Sequence, residues 1–184
     1  MIALAPPVTL EAFETFLSRP ENADRLFELV HGEIVEKLPT EEHGIIALNI
    51  GFVLQTYFRA HSIGRVATEA RHRPASGDAD DRLPDVSAVL DLSRPVTRQG
   101  AAPYLPELCI EIQSPGQSLR ALLDKALFYL ANGSKMVWLV YPERREVEVL
   151  TADSRAFYGE ADTLTAGDLL PGFSASVRDF FFGV

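Results

Sequence analysis

The chain of 184 residues and 20.3 kDa has the length of one domain, residues 1–184, with a core large enough to stand without disulfide or zinc staples. Hydrophobic residues at 47% and charged residues at 23% exclude a disordered chain, and the lone Cys109 excludes an internal disulfide or cysteine-based zinc site and fits a reducing cytoplasm. Seventeen Lys and Arg against 26 Asp and Glu leave a net charge of −9, which argues against a protein that coats nucleic acid but not against an enzyme meeting it through bound metal ions.

The opening MIALAPPVTLEAF is too short, too proline-broken and too poor in basic residues for a signal peptide, and no apolar run approaches the roughly 18 residues of a membrane span. Thr9 is placed to cap a short helix to Leu17 whose Leu10, Phe13, Phe16 and Leu17 share a face. FELVHGEIVEKL, residues 27–38, reads as two short strands joined by a tight turn at His31-Gly32. Thr40 then caps a helix from Glu41 to about His61, with Glu41 and Glu42 suiting its N-terminus. Apolar residues surround most of that helix, which predicts cover on more than one side, by a sheet and by a second subunit. Arg65–Glu69, Arg71–Pro74 and Asp85–Asp91 are strand-like, with SGDADDRLP an exposed loop between the last two. Leu105 to Ile112 is an apolar strand that breaks at Ser114-Pro115-Gly116. A helix follows from Ser118 and ends at Asn132-Gly133. Lys135–Tyr141 has the continuous apolar character of a central strand, and Glu146–Leu150 alternates as a strand with one wet face. A small strand near Thr163–Leu164, a turn at Pro171-Gly172 and a closing helix at Val177–Phe182 complete the chain. The order predicts an α/β domain with a central sheet between helices.

Three charged groups stand where an apolar pattern forbids them: Asp85 at the entry to one strand, Glu111 near the end of another, and Lys125 on the following helix. Lys125 lies roughly 120° from the middle of the leucine stripe, at its flank, and Tyr129 shares that flank. A carboxylate on a buried strand is costly unless paired, hydrogen-bonded or on a metal. Two such acids with a lysine nearby are suited to a divalent cation and a charge-neutralising partner. The alternative is structural: Asp85 starts its strand through a local turn bond while Glu111 pairs with Lys125.

The segments FELVHGEIV, Glu-Glu-His before the long helix, Leu-Pro-Asp-Val-Ser, Ile-Glu-Ile-Gln-Ser-Pro, Lys-x-x-x-Tyr-Leu-x-x-Gly and Val-Trp-Leu-Val-Tyr-Pro together resemble, in order and spacing, the Uma-type restriction-endonuclease-like family of the PD-(D/E)XK nuclease superfamily. The resemblance runs from about Phe27 to Leu150. It implies a restriction-endonuclease-like core, a mixed central sheet flanked by helices, acting as a metal-dependent endonuclease on nucleic acid, with DNA the expected substrate. Asp85, Glu111 and the carbonyl of Ile112 would hold Mg²⁺ or Mn²⁺, Glu28 would be a further acid of the site, and Gln113 would line it beside Glu28. Gln113 stands where the superfamily signature carries lysine and cannot supply its charge, so Lys125 would have to act as base or charge neutraliser. On that reading Lys125→Ala removes cleavage and leaves melting nearly intact. The competing class is a non-catalytic interaction or regulatory module that keeps the nuclease fold.

Other residues carry weaker signals. His43 could face the site, or serve only as a helix-end histidine. His31, His61 and His72 lack metal-ligand spacing, and Ser114 lacks a nucleophile elbow. Arg65, Arg71, Arg73, Arg82, Arg94 and Arg98 gather around the loops, as phosphate contacts or, more simply, as solvated charges. A homodimer is expected, through the long helix or through Phe180-Phe181-Phe182.

Overall fold

The computed structural model describes residues 6–77 and 79–184. The beginning of the N-terminal stretch and Asp78 of the SGDADDRLP loop lie outside the described residues.

Each long helix starts where a hydroxyl can satisfy a free amide. Thr9 caps α1 (Leu10–Leu17), Thr40 caps α2 (Glu41–His61) and Ser118 caps α3 (Leu119–Ala131), each accepting from the amide three residues on. Between α1 and α2, β1 (Leu26–Val30) and β2 (Glu33–Lys37) form an antiparallel hairpin. Its two turn residues both have positive φ, His31 at 51° and Gly32 at 79°, the backbone that a two-residue hairpin turn requires.

The main sheet holds β3 (Arg65–Thr68), β4 (Val86–Val89), β5 (Leu108–Ile112), β6 (Met136–Tyr141), β7 (Glu146–Leu150) and β8 (Arg155–Gly159) in that spatial order. The pairing is antiparallel except for β5 and β6, which run parallel and are joined through α3. A second hairpin, β9 (Thr163–Ala166) with β10 (Leu170–Ser176), leads into the short α4 (Val177–Phe180).

Strand alternation divides the core between the two faces. Val86, Ala88, Ile110, Ile112, Trp138 and Val140 pack with Ile46, Ile50, Leu54 and Phe58 of α2 and with the C-terminal segment. Cys109, Val137, Leu139 and Tyr141 pack with Leu122, Ala126 and Tyr129 of α3. The expected mixed sheet between helices is therefore present.

Several local expectations need correction. Arg71–Pro74 is not a strand: only His72 makes isolated bridges, to Arg82 and Ala102, and the guanidinium groups on either side turn to Asp81 and Glu14. β5 begins at Leu108, not Leu105, and Asp85 immediately precedes β4. Pro171 and Gly172 lie within β10, at an irregularity in its register, where the missing proline donor is tolerated. β8 escaped notice because its sequence, RAFYG, has little alternation. Phe180 and Phe181 are core residues, and only Phe182, 78% exposed, is free to meet a partner.

Asn49 of α2 donates to the carbonyls of Phe180 and Phe182, so the C-terminal segment supplies part of the second cover expected for this helix. Leu48 and Phe52 remain 69% and 71% exposed. Among the described residues no helix is long and apolar enough to cross a membrane.

Ile50 and Leu54 are fully buried against the sheet. Truncation of either to alanine is expected to cost about 2–5 kcal/mol by loss of transfer energy and cavity formation, measured as a shift in the denaturant midpoint without a change in slope.

Candidate active site

The registry of β4 and β5 places two carboxylates side by side. Val86 pairs with Ile110 and Ser87 with Cys109, so continuing the antiparallel register by one residue sets Asp85 opposite Glu111. Both side chains are buried, and both wall a cleft of about 390 Å³ with Glu28, Lys37, His43, Ile112 and Lys125. Like charges directly opposite in a sheet repel, so this pair needs cations or protons.

Lys125 meets that need on one side. Its ammonium lies 3.0 Å from Glu111 Oε2 and 2.7 Å from Glu28 Oε2. Tyr129, one helical turn on, donates from its hydroxyl to Glu111 Oε1 at 2.6 Å. The flank position of Lys125 and Tyr129 on the α3 stripe thus brings both to one carboxylate. Glu28 also accepts from the Leu83 amide at 2.9 Å, which joins the hairpin to the segment leading into β4. It points away from Phe27 and Leu29, which pack against α1 as the alternation of β1 requires.

Asp85 is compensated differently. Its Oδ2 accepts from the Ile112 amide at 2.6 Å and stands 2.9 Å from His43 Nε2, while its Oδ1 is bonded by Lys37. His43 therefore does reach the site, at the first turn of α2. Lys37 also donates to Glu69 at 3.1 Å and to the Leu83 carbonyl at 2.7 Å.

Lys37 and Glu69 are site residues that the sequence reading passed over. The signal for Lys37 was present. A two-residue turn at His31-Gly32 pairs Leu26 with Lys37 and Glu28 with Val35, and cross-strand partners share a face, so Lys37 lies on the Glu28 side of the hairpin. Glu69 had no comparable signal, since it follows β3 in the left-handed region at φ 48°.

Burial works against every charge here, and the partners decide the outcome. Burial raises the Asp85 pKa, but the His43 hydrogen bond and the charge of Lys37 outweigh it and hold Asp85 below the ordinary carboxylate range. At Glu111 burial prevails and raises the pKa, with Asp85 and Glu28 adding to the rise and Lys125 opposing it. A proton entering the pair therefore settles on Glu111. Burial also raises Glu69, against the pull of Lys37. It disfavours charged Lys37 and Lys125, yet the surrounding carboxylates raise both pKa values, so both stay ammonium ions.

Gln113, expected to line the site beside Glu28, instead stands apart from these groups. Its amide donates to the Gln117 carbonyl at 2.8 Å, and it is not among the residues that wall the cleft. The Ser114 amide donates to Gln117 Oε1, which shapes the turn into α3. The loop arginines are mainly structural: Arg71 and Arg73 pair with Asp81 and Glu14, Arg82 with Asp80, and Arg94 with Asp91 and Glu107. Arg65 is held by the carbonyls of Arg94 and Pro95 and by the Tyr104 hydroxyl.

Of possible metal donors, one atom each of His43, Glu69 and Asp85 lie within 4.8 Å of one another. That group shares only Asp85 with the expected set of Asp85, Glu111 and the Ile112 carbonyl. All of these residues except Glu69 border the same cleft.

The model of the Uma2 family, described as "Putative restriction endonuclease", matches residues 13–178. The chain belongs to the Uma2 family. Its fold is similar to that of a crystal structure described as a putative nuclease belonging to DUF820 from Anabaena variabilis, with a TM-score of 0.79 and 24% identity over 95% of this chain and 98% of that one. Among curated proteins no match is found. Uma2 membership places the chain among nuclease-type proteins of restriction-endonuclease-like architecture.

The buried contacts of Lys125 change one expectation. Removing this ammonium leaves Glu28 and Glu111 facing each other without their shared cation, a class of change that costs about 3–5 kcal/mol. Lys125→Ala is therefore expected to melt well below the wild type, and equal melting curves would show that the pair is not buried in solution.

Proposed function

We propose that this Uma2 protein is a metal-dependent endonuclease that hydrolyses phosphodiester bonds, with DNA as the favoured substrate. The observation that carries this reading is the placement of Asp85 opposite Glu111 at the ends of β4 and β5, on an open cleft and with partly buried ammonium groups beside them. The donor chemistry supports a hard divalent ion: carboxylate and carbonyl oxygens suit Mg²⁺ or Mn²⁺. Asp85, Glu111 and the Ile112 carbonyl would hold the ion. When bound it supplies charge stabilisation to a phosphodiester and a water of lowered pKa.

The chain's own residues supply the rest. Asp85 is kept anionic by His43 and Lys37, so it is ready to bind a cation without first losing a proton. Lys125 offsets negative charge as it develops on the phosphate and orients the attacking water. Glu28 helps fix the Lys125 ammonium, which it shares with Glu111. Gln113, turned to the Gln117 carbonyl, steadies the strand-to-helix turn bordering the cleft and leaves the charge role to Lys125.

The direct test is cleavage of supercoiled and linear DNA, with an RNA substrate in parallel, in Mg²⁺ or Mn²⁺ and in chelator. Metal-dependent cleavage lost in Asp85→Asn and Glu111→Gln is expected. Metal binding without cleavage of any nucleic acid would leave the non-catalytic module as the better account. In thermal melting, a divalent ion at a hundred times its Kd should add about 2.7 kcal/mol, and Asp85→Asn should abolish that rise.

The pH dependence has a definite sign. Glu111 takes up its proton above the ordinary carboxylate value of 4.5, and the metal needs the deprotonated form. Ion affinity should therefore weaken as pH is lowered from neutral toward that value, with up to one proton released per ion bound. Calorimetry in buffers of different ionisation enthalpy measures this proton. An affinity independent of pH over that range would remove Glu111 from the ligand set.

A homodimer accompanies this reading, supported by the exposed Leu48 and Phe52 of α2 and by Phe182. Light scattering should return twice the chain mass of 20.3 kDa, and Leu48→Glu with Phe52→Glu should halve it.

A further inference from the structure

Beyond helping to keep Asp85 anionic, Lys37 has no part in the chemistry assigned to Asp85, Glu111 and Lys125, yet its ammonium is fully coordinated within the cluster. Its three donors meet three oxygens, those of Asp85, Glu69 and the Leu83 carbonyl. A lysine ammonium has no further donor to give. The other oxygen of Asp85 lies 2.9 Å from His43 Nε2, and donor atoms of His43, Glu69 and Asp85 fall within 4.8 Å of one another. The oxygens of Asp85, Glu69 and the Leu83 carbonyl around the Lys37 ammonium, with the His43 imidazole close to the two carboxylates, form a donor set that suits a divalent cation. A lysine presents a compact charge on a flexible stem, and this one enters from β2, outside the main sheet.

The charge count agrees. Glu28, Glu69, Asp85 and Glu111 bring four negative charges when ionised, and Lys37 and Lys125 bring two positive. One divalent ion closes the difference. Without Lys37 the cluster would be one charge further from neutrality, with Asp85 and Glu69 losing the cation between them.

We infer that Lys37 fills, with its own ammonium, a second cation position next to the Asp85–Glu111 site, so that one divalent ion completes a cluster that would otherwise hold two. This rests on the metal reading proposed above. Asp85 is the shared group. Its Oδ1 carries Lys37 and keeps a second lone pair, so a tethered charge and an ion can share one carboxylate, as two ions do in sites with paired metals. The tether also holds the position filled before any metal arrives.

Calorimetric titration with Mn²⁺, checked by the loss of free-Mn²⁺ electron paramagnetic resonance signal, tests this by stoichiometry. The wild type is expected to bind one Mn²⁺ and Lys37→Met two, with the added ion lost in Lys37→Met/Glu69→Gln. Without metal, Lys37→Met should melt below the wild type and recover more on adding Mn²⁺. Lys37→Gln gives the same reading if the methionine variant does not fold. In the wild-type background, Glu69→Gln should leave the count at one, because its position there is held by lysine.

The same count in Lys37→Met, Lys37→Gln and the wild type overturns the inference. So does an added ion that survives Glu69→Gln, or a wild-type ion that Glu69→Gln removes. A wild type that binds no ion, beside a Lys37→Met that binds one removed by Glu69→Gln, would instead sink the Asp85–Glu111 metal reading and leave Lys37 as inferred.

Discussion

The repulsion between Asp85 and Glu111 is the constraint on which the rest of the site depends. Two acids on adjacent strands, both withdrawn from water, cannot stay ionised without nearby positive charge. Each surrounding element supplies a part of the answer. The hairpin brings Lys37 and Glu28, α2 brings His43, and α3 brings Lys125 and Tyr129. The main sheet places the charges, and the elements around it compensate them.

That division explains why the two carboxylates differ although the strands treat them alike. Asp85 is enclosed by an amide, an imidazole and an ammonium and stays ionised. Glu111 is fully withdrawn from water beside Asp85 and Glu28, and the lysine it shares with Glu28 only partly offsets this, so its proton affinity rises. A pair whose members are driven apart in this way can hold one proton or one cation, and exchange between the two is a change of charge at Glu111.

Much of the site was legible because burial patterns expose their own violations. Asp85 and Glu111 interrupt apolar strands, and Lys125 interrupts a leucine stripe. Glu28 was reached through family resemblance, although β1 alternation also turns it away from Phe27 and Leu29. Lys37 was overlooked because a charged residue on a short hairpin looks solvated until the hairpin is seen to lie over the cleft. That docking depends on Glu28 and on backbone bonds between distant segments, which local pattern does not report. Glu69 sits in a left-handed turn after β3, where neither strand nor helix periodicity applies. For Arg71 and Arg73 the reverse holds: one acid partner, Glu14, is far away in sequence, so local pattern does not reveal the pairing.

The hairpin is not part of the main sheet, and it is tied to the segment before β4 by a few bonds. Leu29 and Asp81 exchange amide–carbonyl bonds of 2.8 and 2.9 Å, the Leu83 amide donates to Glu28, the His31 amide donates to Asp80, and Lys37 donates to the Leu83 carbonyl. Parts of a fold joined by few contacts can open without global unfolding. Opening of this hairpin would withdraw Glu28 and Lys37 in a single event, leaving Lys125 and Asp85 each short of a partner. The charge balance of the cleft is therefore a cooperative property of a small subdomain, and its lifetime is set by how long the hairpin stays docked.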